Sequence, residues 1–184
     1  YKLVLHDLDR FLTKFANRGP RFKKTVAFSP FDSIAGIETL FDCLVTRSIL
    51  VLIPGGLSPK SVLDCIERSN VDCLQTTPTF INLMTLSGYL DHGGFRTLSR
   101  IHYGSEPSNA RPLKLIKDRY PDIFLLHTYG MTETGILETE TSPEDPTRFR
   151  LDQKINPGYV RGDRLFVKSP CLMLGYLNAE AKVE

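Results

Sequence analysis

The nine residues His127-Thr128-Tyr129-Gly130-Met131-Thr132-Glu133-Thr134-Gly135 gather more binding chemistry than any other stretch of this chain. They supply a flat aromatic face, three threonine hydroxyls, one carboxylate, and two glycines that let backbone come close to a ligand. A nucleotide asks for that set: an aromatic face for its base, hydroxyl donors for phosphate oxygens and a carboxylate for a hard Mg²⁺ ion. Composition alone leaves a polar surface loop standing beside that reading. A second cluster, Gly104-Ser105-Glu106-Pro107-Ser108-Asn109, follows the apolar run Ile101-His102-Tyr103. Gly104 permits close backbone approach there, and Ser108 or Asn109 can cap a following helix while its first N–H groups face outward. Taken alone, this cluster reads equally as a well-capped strand-to-helix turn.

Other reactive side chains lead nowhere comparable. His6, His92 and His102 have no carboxylate and nucleophile at a hydrolase-triad spacing. The cysteines at 43, 65, 73 and 171 form no C-x-x-C pair and have no His at ligand spacing, which argues against zinc and redox sites and for reduced thiols in a cytoplasmic setting. Glu138, Glu140, Glu144 and Asp145 read as solvated acids, and Tyr120 and Tyr159 as packing residues. Lys and Arg number 23 against 21 Asp and Glu, a balance that gives no footprint for nucleic acid. The basic run Arg18 to Lys24 reads as a surface loop, and no apolar run is long enough to span a membrane.

The elements that must position the two clusters alternate along the chain. Residues 3–16 carry helical spacing in Leu5, Leu8, Phe11, Leu12 and Phe15. A strand is predicted at Thr25–Phe28, a helix at Ile34–Val45 and a buried strand at Ser48–Ile53. Ser58 as N-cap and Pro59 in the first turn open the next helix. Val71–Leu74 reads as a strand, Pro78–Leu86 as a helix, Ile101–Tyr103 as a strand, Pro112–Lys117 as a helix and Ile123–Leu126 as a strand. This predicts an α/β fold: a parallel sheet flanked by helices in βαβ units, its apolar strands covered on both faces, with a few antiparallel strands at the C-terminal end. Residues 1–140 read as the α/β part and 141–184 as a partial β-rich part. Ligands of such sheets bind beyond the carboxyl ends of the strands, where both clusters fall.

The order of residues in Tyr129-Gly130-Met131-Thr132-Glu133 resembles the Y-G-x-T-E signature of the adenylate-forming superfamily, which includes acyl- and aryl-CoA ligases, fatty acyl-AMP ligases, luciferases and peptide-synthetase adenylation domains. Other segments fall in that family's order. Thr77-Pro78-Thr79 resembles its V-P-T helix start, and Gly104-Ser105-Glu106-Pro107 its G-(G/S/A)-E-P adenine loop. Gly162 to Pro170 and Gly175-Tyr176-Leu177-Asn178 are similar to its G-E-L-x-V-x-G-P…G-Y-x-N stretch. The resemblance implies that Tyr129 stacks on adenine, with Gly104, Ser105, Glu106 and Pro107 along the opposite wall and His127 or Thr128 near the exocyclic amine. It implies that Gly130 sits beside the nucleotide, that Thr132 donates to the α-phosphate, and that Glu133 holds Mg²⁺. The implied reaction converts ATP and a carboxylic acid to an acyl-adenylate, with coenzyme A, a carrier protein or nothing as the acceptor.

The resemblance also places Phe31, Asp32, Ser33 and Met131 in the acyl pocket, where two alignments compete. Against a CoA-ligase pattern, Ser33 takes the place of a His and Gly36 that of a Gly. Against a peptide-synthetase pattern, Phe31-Asp32 match and Asp32 pairs with a substrate ammonium group. An Asp-Ser pair before a helix is also an ordinary N-cap. Neither a Pro-Lys-Gly phosphate loop nor a Walker-type loop occurs in the 184 residues, and the segment between Gly135 and Gly162 lacks the family's G-R-P-x-P-G. The resemblance places the phosphate loop upstream of Tyr1 and a ribose-binding T-G-D and a small C-terminal domain beyond Glu184. On that view the chain is an internal part of a large domain and is inactive by itself; the alternatives are a peptide-synthetase adenylation domain that activates an amino acid and a non-catalytic nucleotide-binding or interaction module that reuses the fold.

Overall fold

The computed structural model describes residues 3–21 and 23–177; Phe22 and Asn178 lie outside them. In chain order the elements are β1 (Val4–Leu5), α1 (Leu8–Thr13), β2 (Lys24–Ala27), α2 (Ile34–Thr46), β3 (Ile49–Leu52) and α3 (Pro59–Ser69). Then come β4 (Cys73–Thr76), α4 (Pro78–Leu86), a 3-10 turn at Tyr89–Asp91, α5 (Gly94–Thr97), β5 (Arg100–Gly104), α6 (Ala110–Arg119) and β6 (Phe124–Met131). The remainder is strand: β7 (Gly135–Leu137), β8 (Thr139–Thr141), β9 (Phe149–Leu151), β10 (Gly158–Arg161), β11 (Arg164–Val167) and β12 (Gly175–Tyr176).

Six strands form the central sheet in the order β3-β2-β4-β5-β6-β7. Its first four pairings are parallel, and β6 with β7 is antiparallel. The order turns back at β2: the chain steps outward to β3, then crosses over β2 to reach β4. Because crossovers between parallel strands are right-handed, steps in opposite directions put α2 and α3 on opposite faces. The crevice between β2 and β4 is thus a topological switch point, where open α/β sheets take their ligands. The later strands pair two by two as β8-β9, β10-β11 and β1-β12, all antiparallel.

Strand alternation gives the two sheet faces different characters. Val26, Leu74, Ile101, Tyr103 and Leu125 point to one face and bury against α3, α4, α5 and α6 in the main core with Val62, Ile66, Met84, Phe95 and Ile116. The residues between them, Gln75, His102, Leu126, Thr128 and Gly130, line a cavity on the other face, beneath α2. A second small core of Phe11, Phe15 and Cys171 packs with Ile34, Ile37 and Phe41 of α2.

Helix starts follow the sequence signals. Ser58 accepts from Ser61 N in a capping box with Pro59 behind it, and Thr77 accepts from Phe80 N ahead of Pro78. Four expectations are corrected. The strand expected to be buried at Ser48–Ile53 is β3 at the sheet edge, with Ile49 and Leu52 exposed. Residues 3–16 are not one helix, because Val4–Leu5 pairs as a strand with Gly175–Tyr176 and only Leu8–Thr13 is helical. The strand expected at Ile123–Leu126 runs to Met131, since β7 supplies hydrogen bonds to its second half. The sheet is apolar on one face only, the other being polar around the cavity. All four cysteines are buried and unpaired, and no helix among the described residues is long and apolar enough to cross a membrane.

Candidate functional site

Gly104 and Thr128 are register partners on neighbouring parallel strands, so the segments that follow them emerge side by side at the carboxyl end of the sheet. The contact is close because Gly104 has no side chain: a Cβ there would lie 2.2 Å from the Thr128 carbonyl oxygen. Ser105 then takes a left-handed φ of 73°, a conformation that costs a non-glycine residue about 1 kcal/mol or more and concentrates at functional loops. Glu106 turns back toward α4, where Oε1 accepts from Thr79 N at 2.7 Å. That backbone bond, assisted by the Thr79 and Thr77 hydroxyls, holds the carboxyl below its usual range. Glu106 therefore fixes the loop to a helix N-terminus. Asn109, not Ser108, caps α6, accepting from Arg111 N at 3.1 Å.

The expected loop 127–135 is a strand followed by a tight hairpin. Met131 opposes Gly135, leaving Thr132, Glu133 and Thr134 at the turn. Gly130 faces Ile136, and a Cβ at Gly130 would meet the Gly135 oxygen at 2.5 Å. Gly135 holds φ 69° with its missing Cβ directed at the Glu38 carboxylate, 2.7 Å away. Gly130 is thus fixed by backbone approach and Gly135 by its left-handed φ and the Glu38 carboxylate. The turn is held from outside by residues far along the chain. His6 Nε2 bonds the Thr132 carbonyl at 2.7 Å, Met173 N donates to the Glu133 carbonyl at 2.8 Å, and Tyr176 Oη donates to Glu133 Oε1 at 2.7 Å.

Alternation separates the site residues of β6. His127 and Tyr129 face the main-core side. His127 stacks on Tyr103 with ring centres 5.0 Å apart and meets Phe149 edge-on at 4.8 Å, and its Nε2 bonds Ser108 Oγ at 3.3 Å. Burial pushes its pKa down, partly offset by carbonyl contacts from Pro146 and Thr147. Tyr129 stacks on Phe149 at 5.6 Å. The Ser108 contact brings the 105–108 loop over this aromatic group. Phe149 lies in the segment that departs from the family pattern, and no sequence signal marked it. Thr128 faces the opposite way, donating to the Tyr103 carbonyl at 3.2 Å and lining the cavity.

That cavity has a volume of about 210 Å³ and runs beneath α2 from Gly104 and Thr128 down to Arg100. Its helix wall is Ile34, Ala35, Glu38 and Asp42, while Phe31, Asp32, Ser33 and Met131 are not among its lining residues. Phe31, Asp32 and Met131 are exposed. Ser33 caps α2, accepting from Gly36 N at 3.2 Å and donating to the Pro30 carbonyl at 2.7 Å. The N-cap reading of that segment is what the geometry displays. Sequence reasoning missed the ion pairs of the wall. Lys14 pairs with Glu38, whose Oε1 also accepts from Ile136 N at 2.8 Å, and Arg18 pairs with Asp42 and with Glu138 at 2.7 Å. Only tertiary folding brings these residues together.

For a metal, the described residues offer no cluster of three or more acidic, His or Cys ligands. The Glu133 carboxylate has one oxygen engaged by Tyr176. One carboxylate suits Mg²⁺, which characteristically completes its shell with water and substrate phosphates.

An open, mainly parallel sheet whose β5 and β6 bring two loops together at its carboxyl end has the form of a ligand-binding α/β domain. The chain matches the AMP-binding enzyme model over residues 2–177, and it belongs to that family. It is 22% identical over 166 residues to a D-alanine--D-alanyl carrier protein ligase of Staphylococcus haemolyticus, covering 85% of this chain and 34% of that protein. The ligase of the same name from Staphylococcus epidermidis is 23% identical over 168 residues, with 84% and 34% covered. The chain thus spans about a third of the length of these relatives. Among solved structures, an amide bond synthetase variant from Marinactinospora thermotolerans superposes with a TM-score of 0.76 at 21% identity, covering 95% of this chain and 39% of that one. The N-terminal subdomain of Klebsiella oxytoca NpsA in complex with anthranilyl-AMSN gives 0.75 at 16%, covering 96% and 50%. At such identities these structures speak for the fold alone.

Proposed function

We propose that the protein to which this chain belongs uses ATP to activate a carboxylic acid as its acyl-adenylate, with release of pyrophosphate. The observation that carries the reading is the Gly104–Thr128 register, which sets the 104–107 loop beside the strand that presents Tyr129, Thr132 and Glu133. In this reading the Tyr129 ring, backed by Phe149, takes the adenine, with Ser105 and Pro107 opposite and Glu106 fixing their loop. Thr132 at the hairpin turn donates to the α-phosphate, and the free oxygen of Glu133 holds Mg²⁺. When bound, the ion neutralises phosphate charge. The acid enters the cavity beneath α2 with its carboxylate at the Gly104–Thr128 end, where the reacting groups are oriented against each other. The acyl group then passes to a thiol, forming a thioester and releasing AMP. The carrier protein ligases among the relatives favour a carrier-protein thiol over coenzyme A.

The test is acid-dependent ATP–pyrophosphate exchange by the complete protein, over a panel of fatty, aryl, amino and oxo acids. Exchange with at least one acid, lost by 100-fold or more in Glu133→Gln while the circular dichroism and melting curve stay unchanged, is the expected result. An unimpaired Glu133→Gln enzyme would remove the metal role.

A further inference from the structure

The floor of the cavity carries a polar atom with nothing to bond. His102 and Gln75 are register partners on β5 and β4 and both line the cavity, so they stand at one depth. His102 Nε2 is sealed from solvent without a hydrogen-bond partner. Buried polar atoms are ordinarily paired, and an unpaired one on a cavity wall points to a ligand. Gln75 meets the Thr39 hydroxyl, whose own proton also reaches the Ala35 carbonyl, and in either amide orientation it keeps an N–H to offer. His102 lies two residues below Gly104, about 7 Å deeper along the strand.

Charge narrows the ligand. Glu38 is answered by Lys14, and Asp42 and Glu138 by Arg18. Arg100 lines the same wall two residues below His102, its guanidinium over the Phe124 ring at 5.2 Å, with no carboxylate pairing to it among the described residues. Burial first, and Arg100 second, push the His102 pKa down to about 4, so its imidazole is a neutral donor or acceptor at neutral pH. An ammonium group would meet this positive wall with no free carboxylate, since Asp32 lies outside the cavity. An alkyl tail would leave the polar atoms unpaired.

Resting on the reading that this cavity receives the acid, we propose that the acid carries an oxygen acceptor, a carbonyl or a second carboxylate, about 7 Å from its reacting carboxyl. His102 and Gln75 hold that acceptor, and they select a dicarboxylic or oxo acid against fatty acids and α-amino acids.

The experiment is pyrophosphate exchange by the complete protein with glutarate, levulinate, hexanoate and alanine, in the wild type and in His102→Phe and Gln75→Leu. The expected result is a kcat/KM at least tenfold higher for glutarate or levulinate than for hexanoate or alanine. His102→Phe or Gln75→Leu should erase that preference while the KM for ATP is unchanged. Preference for hexanoate or alanine, or a preference that survives both substitutions, overturns the proposal. Absence of exchange with every acid would sink the adenylation reading alone. In that case the imidazole resonances of His102, followed by NMR in the complete protein, decide the inference. A shift induced by glutarate or levulinate but not by hexanoate upholds it, and no shift overturns it.

Discussion

Replacing Glu38 with Gln should unfold this domain more readily than any surface substitution, and the structure gives the size of the effect. The side chains of Lys14 and Glu38 retain only 9% and 7% of their exposure, and they close a ring with the backbone of Ile136: Lys14 donates to its carbonyl and Ile136 N donates to Glu38. The ring ties α1, α2 and β7 together behind the hairpin. Glu38→Gln can keep the bond from Ile136 N but leaves a buried ammonium facing one carbonyl. Removing one partner of such a pair costs about 3–5 kcal/mol. With a denaturant slope of roughly 2 kcal/mol per molar urea for a chain of this size, the unfolding midpoint should fall by roughly 1.5–2.5 M. Lys14→Met should cost a similar amount. The double variant Lys14→Met/Glu38→Leu should cost about as much as either single one, because the charge is gone but the polar groups of Ile136 are left open. The assay is urea unfolding followed by circular dichroism across the full cycle. Single costs below about 1 kcal/mol, or costs that simply add, would refute the argument from burial.

Three further outcomes follow from the geometry. Gly104→Ala drives a Cβ to within 2.2 Å of the Thr128 oxygen, so it should spread β5 from β6, cost about 2–3 kcal/mol in unfolding free energy and abolish AMP binding by calorimetry. Tyr176→Phe removes the hydroxyl on Glu133 and should raise the Mg²⁺ concentration for half-maximal exchange about five- to tenfold with an unchanged melting curve, an effect of about 1–1.4 kcal/mol; an unchanged Mg²⁺ requirement speaks against the role given to that bond. His102 in the folded protein titrates near 4, against an ordinary 6.5, so between those values the unfolded chain binds the extra proton. This contribution to stability is complete above about pH 6.5 and is lost as pH falls through 4, by roughly 3 kcal/mol, and His102→Leu should flatten that part of the pH–stability curve.

Local signals read well from the chain. Ser58-Pro59 and Thr77-Pro78 start helices where capping chemistry requires, Pro78–Leu86 is a helix with the bounds its pattern suggests, and the alternating strands and helices give the parallel sheet. Each depends on residues within a turn or two of one another. The adenylate-forming family itself was legible in the residue order Tyr129-Gly130-Met131-Thr132-Glu133, of which close backbone approach explains Gly130. Distant partners decided the rest. Val4–Leu5 is a strand because Gly175–Tyr176 lies beside it, and β6 continues to Met131 because β7 returns along it. Helical spacing in one segment and a polar Thr-Tyr-Gly run in the other pointed elsewhere. The pairs Lys14–Glu38 and Tyr176–Glu133, the Phe149 backing of Tyr129, and the polar floor at His102 and Gln75 join residues that no local pattern links. A sequence sets which side chains a strand presents to each face; which charge, ring or cavity meets them there is settled only when the sheet order and the crossovers are in place.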